Sequence, residues 1–341
     1  MSLTDGTAAR REFDVPASSD LSARRVKVVY VGGYSRSGGT LLGRVLGQIP
    51  GFVAPGEIGY LWSRGLSDNR LCGCGARFLD CPFWRQVERD SFGGWGDARP
   101  DEVLALEREV KRHRFIPLLV APTLSGGYED RLRRYTQLLT RLYRGIAQAA
   151  GAHVVVDSTL DPAYAFVLRH VPGVDLRAIH LIRDSRGTAH SWSREVRRSD
   201  AMQGGYLRTY RPHDTALRWS SDHLLMHLLD RLATQSLRVR YEDLVASPRT
   251  EVERILAHID EPVPPGDLAF IGDDAVHVGT DHTVAGNRMR FQRGSLALAL
   301  DDEWRTALDE GDRRVVTLLT WPLLKAYGYV GAQRPRERAY A

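Results

Sequence analysis

One short arrangement limits the folds open to this chain more than any other feature. An apolar run, a glycine turn and a second apolar run with helical spacing follow one another in VKVVYVGGYSRSGGTLLGRVLGQ, from Val26 to Gln48. An unbroken apolar run of this kind suits a strand covered on both faces, the environment of a parallel sheet. The turn after it has glycines at Gly33 and Gly38 and a hydroxyl at Thr40, the spacing of an ATP-binding loop, but Gly39 stands where such a loop needs lysine.

The rest of the chain alternates in the same way. HVVVDS (153–158), LRAIHLI (176–182) and SLRVRYEDL (236–244) read as further buried strands. Each is followed by a helical pattern: DPAYAFVLRHV, opened by Asp161 as cap and Pro162 in the first turn, then DSRGTAHSWSREV, then PRTEVERILAHI. The fold class expected is therefore α/β, a P-loop-type doubly wound parallel sheet flanked by helices. Segments 100–151 and 212–233 show helical periodicity with no strand between and read as cap insertions. The organisation expected is a disordered tail over 1–25, one α/β domain over 26–330 with acceptor-site cap elements in 59–151 and 192–233, and a second tail over 331–341.

Composition removes several classes of function. A chain of 341 residues with 43% hydrophobic content can bury a substantial core. Of its 47 basic residues only Lys27, Lys111 and Lys325 are lysines, so an arginine gains meaning only from its position. The net charge of +5 is slight, and no dense basic run suggests a nucleic-acid partner. Residues 1–25 lack the apolar core of a secretory signal and no window reaches the roughly 18 apolar residues of a membrane span, so a cytoplasmic protein is expected. Cys72, Cys74 and Cys81 fall together in LCGCGARFLDC, where a tetrahedral metal site would need a fourth ligand that the neighbouring sequence does not offer. Reduced thiols and no metal are the expectation.

A glycine turn leading into a helix presents backbone N–H groups to an anion, reinforced by the helix dipole. With Gly39 in place of lysine the loop carries its cation at Arg36, between Ser35 and Ser37, which suits a group less charged than a triphosphate. A glycine-bearing turn with no ligand is the bland alternative.

RSGGTLL, IRDSRGTAHSW, RYEDLVASPRTEVERIL and HTVAGNRMRFQRG, in this order, resemble the signatures of the sulfotransferases that use 3′-phosphoadenosine 5′-phosphosulfate (PAPS). The resemblance runs from about residue 26 to residue 310 and implies a set of roles. Ser35, Arg36, Ser37, Gly38, Gly39, Thr40 and Leu41 would hold the 5′-phosphosulfate. Arg183, at a strand end, and Ser191, on the next helix, would grip the 3′-phosphate, Tyr241 would lie by the adenine, and Arg288, Arg290, Arg293 and Gly294 belong to a late loop folding over the nucleotide. The co-substrate implied is PAPS, the product 3′-phosphoadenosine 5′-phosphate, and no metal is required.

Sulfuryl transfer needs a base for the acceptor and a cation for the departing bridging oxygen. By resemblance Glu57 in APGEIGYLW is the first candidate base, although an acid at a helix start is an ordinary capping residue, and His282 is the second. Relatives often carry a lysine after the second strand that reaches the transferring group; VVVDSTLDPAY has Leu160 there, which leaves Arg36 as the cation. Asp157 and Ser158 would shape the acceptor site or simply end the strand.

The expected function is transfer of the sulfuryl group of PAPS to a hydroxyl of a small molecule, sugar or lipid. The alternative is a non-catalytic nucleotide-binding protein or a degenerate P-loop kinase. Aromatics at Trp62, Trp84, Tyr128, Tyr135, Trp192, Tyr206 and Tyr210 would line the acceptor pocket or pack the cap.

Overall fold

A computed structural model describes residues 25–331 apart from 97–98, 197–205, 207, 233 and 235. Both expected tails therefore lie almost entirely outside the described residues, as does part of the 192–233 cap.

Five parallel strands form the central sheet in the order β2-β3-β1-β4-β5: β1 (Val26–Gly33), β2 (Phe52–Gly56), β3 (Val154–Leu160), β4 (Val174–Ile182) and β5 (Ser236–Arg240). The apolar run of β1 is explained by its central position. Val28 and Tyr30 face one core and Val29 and Val31 the other, and all four are buried. β2 was not expected from the sequence. FVAPG is a short edge strand, a place where proline is tolerated because one side of the ladder is unpaired.

Helices cover both faces. On one lie α1 (Gly39–Leu46), α9 (Tyr241–Ala246) and α10 (Pro248–His258), with a small antiparallel hairpin of β6 (Ala275–Val278) and β7 (Gly294–Ala297). On the other are α2 (Pro82–Phe92), α3 (Pro100–Val110), α4 (Ile116–Val120), the long α5 (Gly126–Ala150), α6 (Pro162–Leu168) and α8 (Pro212–Arg231). Helices α7 (Ser185–Ser193), α11 (Trp304–Ala307) and α12 (Glu310–Ala326) pack beyond β4. The capping expected for α6 is present: the Asp161 carboxylate accepts from the Ala163 N–H at 3.0 Å. The strand expected over 236–244 stops at Arg240, and Tyr241 opens α9 instead.

The order of the strands fixes where a ligand can sit. β1 sends its chain through α1 to β2 on one side, while its neighbour β3 feeds α6 and then β4 on the other. In doubly wound sheets the crevice opened by such a divergence, at the carboxyl ends of the strands, is the ligand site. A cavity of about 720 Å³ lies elsewhere, at the amino ends of β1, β3 and β4, among Val26, Lys27, Arg141, His153 and Asp175. It is away from the loop chemistry.

Among the described residues no helix is long and apolar enough to cross a membrane.

Candidate active site

The glycine loop joins β1 to α1 at that carboxyl edge. Gly33 has φ 147°, and a Cβ there would come 2.3 Å from the Leu181 carbonyl oxygen, so the turn out of β1 admits only glycine. Arg36 is left-handed at φ 70°, a conformation that costs a non-glycine residue on the order of 1 kcal/mol. Gly38 follows at φ 93° directly before α1. The first helical N–H to find a carbonyl is that of Leu42, on Gly38 at 3.0 Å, so those of Gly39, Thr40 and Leu41 face out of the helix start. Inside the loop the Ser37 hydroxyl is fully buried with no hydrogen-bond partner among the described residues. A buried unpaired hydroxyl costs about 1–3 kcal/mol, and a bound oxyanion would relieve it.

Residues from three other elements converge on this loop. Arg183 leaves β4 before α7 begins, and its Nη1 donates to the Arg36 carbonyl at 3.0 Å. The Arg36 guanidinium lies 4.6 Å over the Trp192 ring and its Nη1 is 3.5 Å from the Ser191 hydroxyl. Arg183 and Ser191 are thus joined through Arg36, because the helix starts after the arginine. Tyr241 lies under both parts: Arg183 is 4.8 Å over its ring, and a Cβ on Gly38 would be 2.6 Å from the ring edge. Burial first, then the positive neighbour Arg183, lowers the Arg36 pKa, while Tyr34 acts against them.

A strap over residues 279–294 closes the loop from the side of α1. The Thr40 hydroxyl accepts from the Asn287 N–H at 3.0 Å, and a Cβ on Gly286 would meet that hydroxyl at 3.0 Å. Arg44, on α1 and 1% exposed, holds the strap through Asp281 at 2.6 Å and the carbonyls of Met289, Gly279 and Gln292.

Glu57 follows β2 at the same edge, where Gly56 pairs with Asp157. Its carboxylate forms an ion pair with Arg64 at 2.9 Å and makes no side-chain cap bond to the short helical turn Ile58–Tyr60. Asp157 neither lines an opening nor merely ends a strand. It is fully buried, accepts from the Ile58 N–H at 3.3 Å, from Tyr143 at 2.5 Å and from Thr159, and so fixes the turn that presents Glu57. Burial pushes its carboxyl up to about 6, against the pull of those hydrogen bonds. Lys111 adds to the same turn, donating to the Gly59 carbonyl at 2.8 Å. Arg64 and Lys111 were given no role from the sequence because nothing local links them to Glu57.

Several expectations are corrected. Arg290 is 1% exposed and points inward, donating to the carbonyls of Thr283 at 3.1 Å and Leu71 at 2.9 Å, which spends its charge on the fold. Arg293 donates to the Cys74 carbonyl at 3.0 Å, Arg288 is exposed, and Gly294 is a hairpin residue paired with Val278. The Leu41 side chain belongs to the core beneath α1, leaving only its N–H to the loop. His282 turns its Nδ1 to Cys81 Sγ at 3.2 Å and stacks on Phe83, which removes it from the role of base. The same contact brings a fourth side chain of metal-ligating type to the cysteine segment, all four ligand atoms lying within 4.8 Å of one another. Trp62, Trp84, Tyr128 and Tyr135 are core residues. Of the expected acceptor aromatics, Trp192 stands beside Arg36, and the Tyr210 ring lies 4.9 Å from that of Trp192. Leu160 is buried and left-handed at φ 68°, and packs against Gly39, so it brings no charge to the loop.

The structure is a parallel α/β fold with a glycine turn at the carboxyl edge of the sheet, on which Arg36, Arg183 and Tyr241 converge. Residues 162–265 match the model described as "Sulfotransferase family". The matched span holds Arg183, Ser191 and Tyr241; the glycine loop and Glu57 lie outside it. Similar solved structures include the sulfotransferase domain from the Synechococcus PCC 7002 olefin synthase, 18% identical, with 91% of this chain and 98% of that one covered at a TM-score of 0.49. Another is the sulfotransferase domain from the curacin biosynthetic pathway, 16% identical, with 87% and 99% covered at 0.43. A third is sulfotransferase STF9 from Mycobacterium avium, 12% identical, with 91% and 79% covered at 0.45. No curated protein matches the chain.

Proposed function

We propose that the protein transfers the sulfuryl group of PAPS to a hydroxyl of a small-molecule, carbohydrate or lipid acceptor. The observation that carries this reading is the convergence of Arg36, Arg183, Ser191 and Tyr241 on a glycine loop whose Ser37 hydroxyl is buried without a partner. The loop N–H groups and Arg36 receive the phosphosulfate, Arg183 and Ser191 the 3′-phosphate, and Tyr241 the adenine face. Glu57 takes the acceptor proton as the acceptor oxygen bonds to sulfur and the bridging S–O bond breaks. Arg36 holds the departing oxygen, since Leu160 offers no charge. Three free thiols suit a reducing, cytoplasmic setting.

Calorimetry tests the reading. The 3′,5′-bisphosphate is expected to bind tens to hundreds of times more tightly than ATP, because only it brings a 3′-phosphate to Arg183 and Ser191, a charge-assisted contact worth about 2–4 kcal/mol. Equal affinities would favour a degenerate kinase.

Arg183 already has an anionic neighbour. Asp301 pairs with its Nη2 at 2.8 Å, and the aspartate side chain is 42% exposed against 7% for the arginine. A 3′-phosphate must displace or share with this carboxylate. Asp301→Asn is therefore expected to tighten bisphosphate binding about three- to tenfold. The same titration showing weaker binding would make Asp301 a support of Arg183 and not its competitor.

A further inference from the structure

We propose that Cys72, Cys74, Cys81 and His282 bind one Zn²⁺ in a closed, four-ligand site that pins the 71–81 segment to the strap over the glycine loop. Their ligand atoms all lie within 4.8 Å of one another. The Cys74 and Cys81 sulfurs are 3.7 Å apart, and the Nδ1 of His282 is 3.2 Å from Cys81 Sγ and 3.8 Å from Cys72 Sγ. With Zn–S near 2.3 Å and Zn–N near 2.0–2.1 Å, the edges of a tetrahedral Cys₃His site are about 3.5–3.8 Å, so these atoms already sit close to the corners. A disulfide requires about 2.05 Å between sulfurs, and the cysteines are free.

The backbone is shaped for the purpose. Cys72 and Cys74 flank a tight turn closed by the Cys72 N–H on the Ala76 carbonyl and the Gly75 N–H on the Cys72 carbonyl, both at 2.8 Å, with Gly75 at φ 93°. A Cβ on Gly73 would strike the Asp281 carboxylate at 2.2 Å, so only glycine lets the turn meet the strap. Cys81 stands at the start of α2, directly before Pro82, where a thiolate is favoured. His282 arrives from 201 residues further along, held by the Trp84 indole N–H on its carbonyl at 3.0 Å and by the Phe83 ring at 4.9 Å. Cys72 and Cys81 are buried, and all four positions come from protein, which leaves no open coordination site. The metal therefore has a structural role.

The test is metal content and coordination, with no dependence on turnover. Full-length protein from zinc-supplemented cells, dialysed against metal-free buffer, is expected to hold one zinc per chain by elemental mass spectrometry. Cys74→Ser and His282→Ala should each lose zinc by more than about tenfold, whereas His282→Cys, which offers a fourth thiolate, should retain it. Replacement by Co²⁺ should give the visible bands of tetrahedral cobalt and a thiolate charge-transfer absorption in the wild type and in His282→Cys. The proposal is overturned by wild-type protein without stoichiometric zinc whose three thiols all react in the native state, by a Cys74–Cys81 disulfide in the mass spectrum, or by zinc that persists undiminished in Cys74→Ser and His282→Ala together.

Discussion

Glu57→Gln is expected to lower turnover by roughly 10²–10⁴-fold while leaving bisphosphate affinity within about twofold of wild type. Glutamine keeps the shape and can still accept from Arg64, which lies 2.9 Å from the carboxylate. It cannot take the proton that the acceptor hydroxyl must lose. The turn presenting it is held from below by Asp157 on the Ile58 N–H and by Lys111 on the Gly59 carbonyl, so the substitution should not move the backbone. Single-turnover rates at saturating acceptor, with nucleotide affinity measured separately, read the two effects apart. A variant as fast as wild type with chemistry limiting would remove Glu57 from the reaction.

The two loop arginines should fail in different ways. Arg183→Ala is expected to weaken bisphosphate binding by about 2–4 kcal/mol, roughly thirty- to several-hundredfold, and to slow the reaction mainly through poor occupancy. Arg36→Ala should weaken binding and also slow the bound complex, since Leu160 leaves Arg36 as the cation assigned to the departing oxygen. At saturating nucleotide, Arg183→Ala recovers most of the wild-type rate and Arg36→Ala does not. Equal residual rates at saturation would merge the two roles.

The strands with apolar runs, β1, β3 and β4, were legible in the sequence because those runs are buried in the sheet, and so was the loop that follows β1; β5, with only Val239 buried, was legible from the alternation of SLRVR and the helix after it. β2 was not, since five residues containing proline and glycine have no periodicity to read. The end of β5 was misplaced at YEDL because propensity does not distinguish a strand end from the first turn of a helix. At the site, the loop pattern singled out Arg36 and the resemblance to the sulfotransferase signatures pointed to Arg183 and Ser191, and the structure brings these three together. Composition hid the rest. With 44 arginines, nothing in the local sequence separates the inward-pointing Arg290 from an exposed Arg288. Cys81 and His282 meet across 201 residues, a distance over which no local motif can signal. The buried aromatics of the cap were ambiguous for another reason: Trp62 and Trp84 look the same in a sequence whether they line a pocket or fill a core.

The single guanidinium of Arg44 has a consequence for how the protein is made. It belongs to the first helix, directly after the first strand, yet its acceptors lie 237 residues ahead at Asp281 and 248 ahead at Gln292. A chain emerging from the ribosome at about 5–20 residues per second must wait on the order of 10–50 s before the partners of this charge exist, and until then only water can solvate it. The glycine loop is synthesised well before the wall that encloses it. Nascent chains interrupted ahead of residue 279 would thus hold the loop without its cover and keep a charge that the finished core has to absorb.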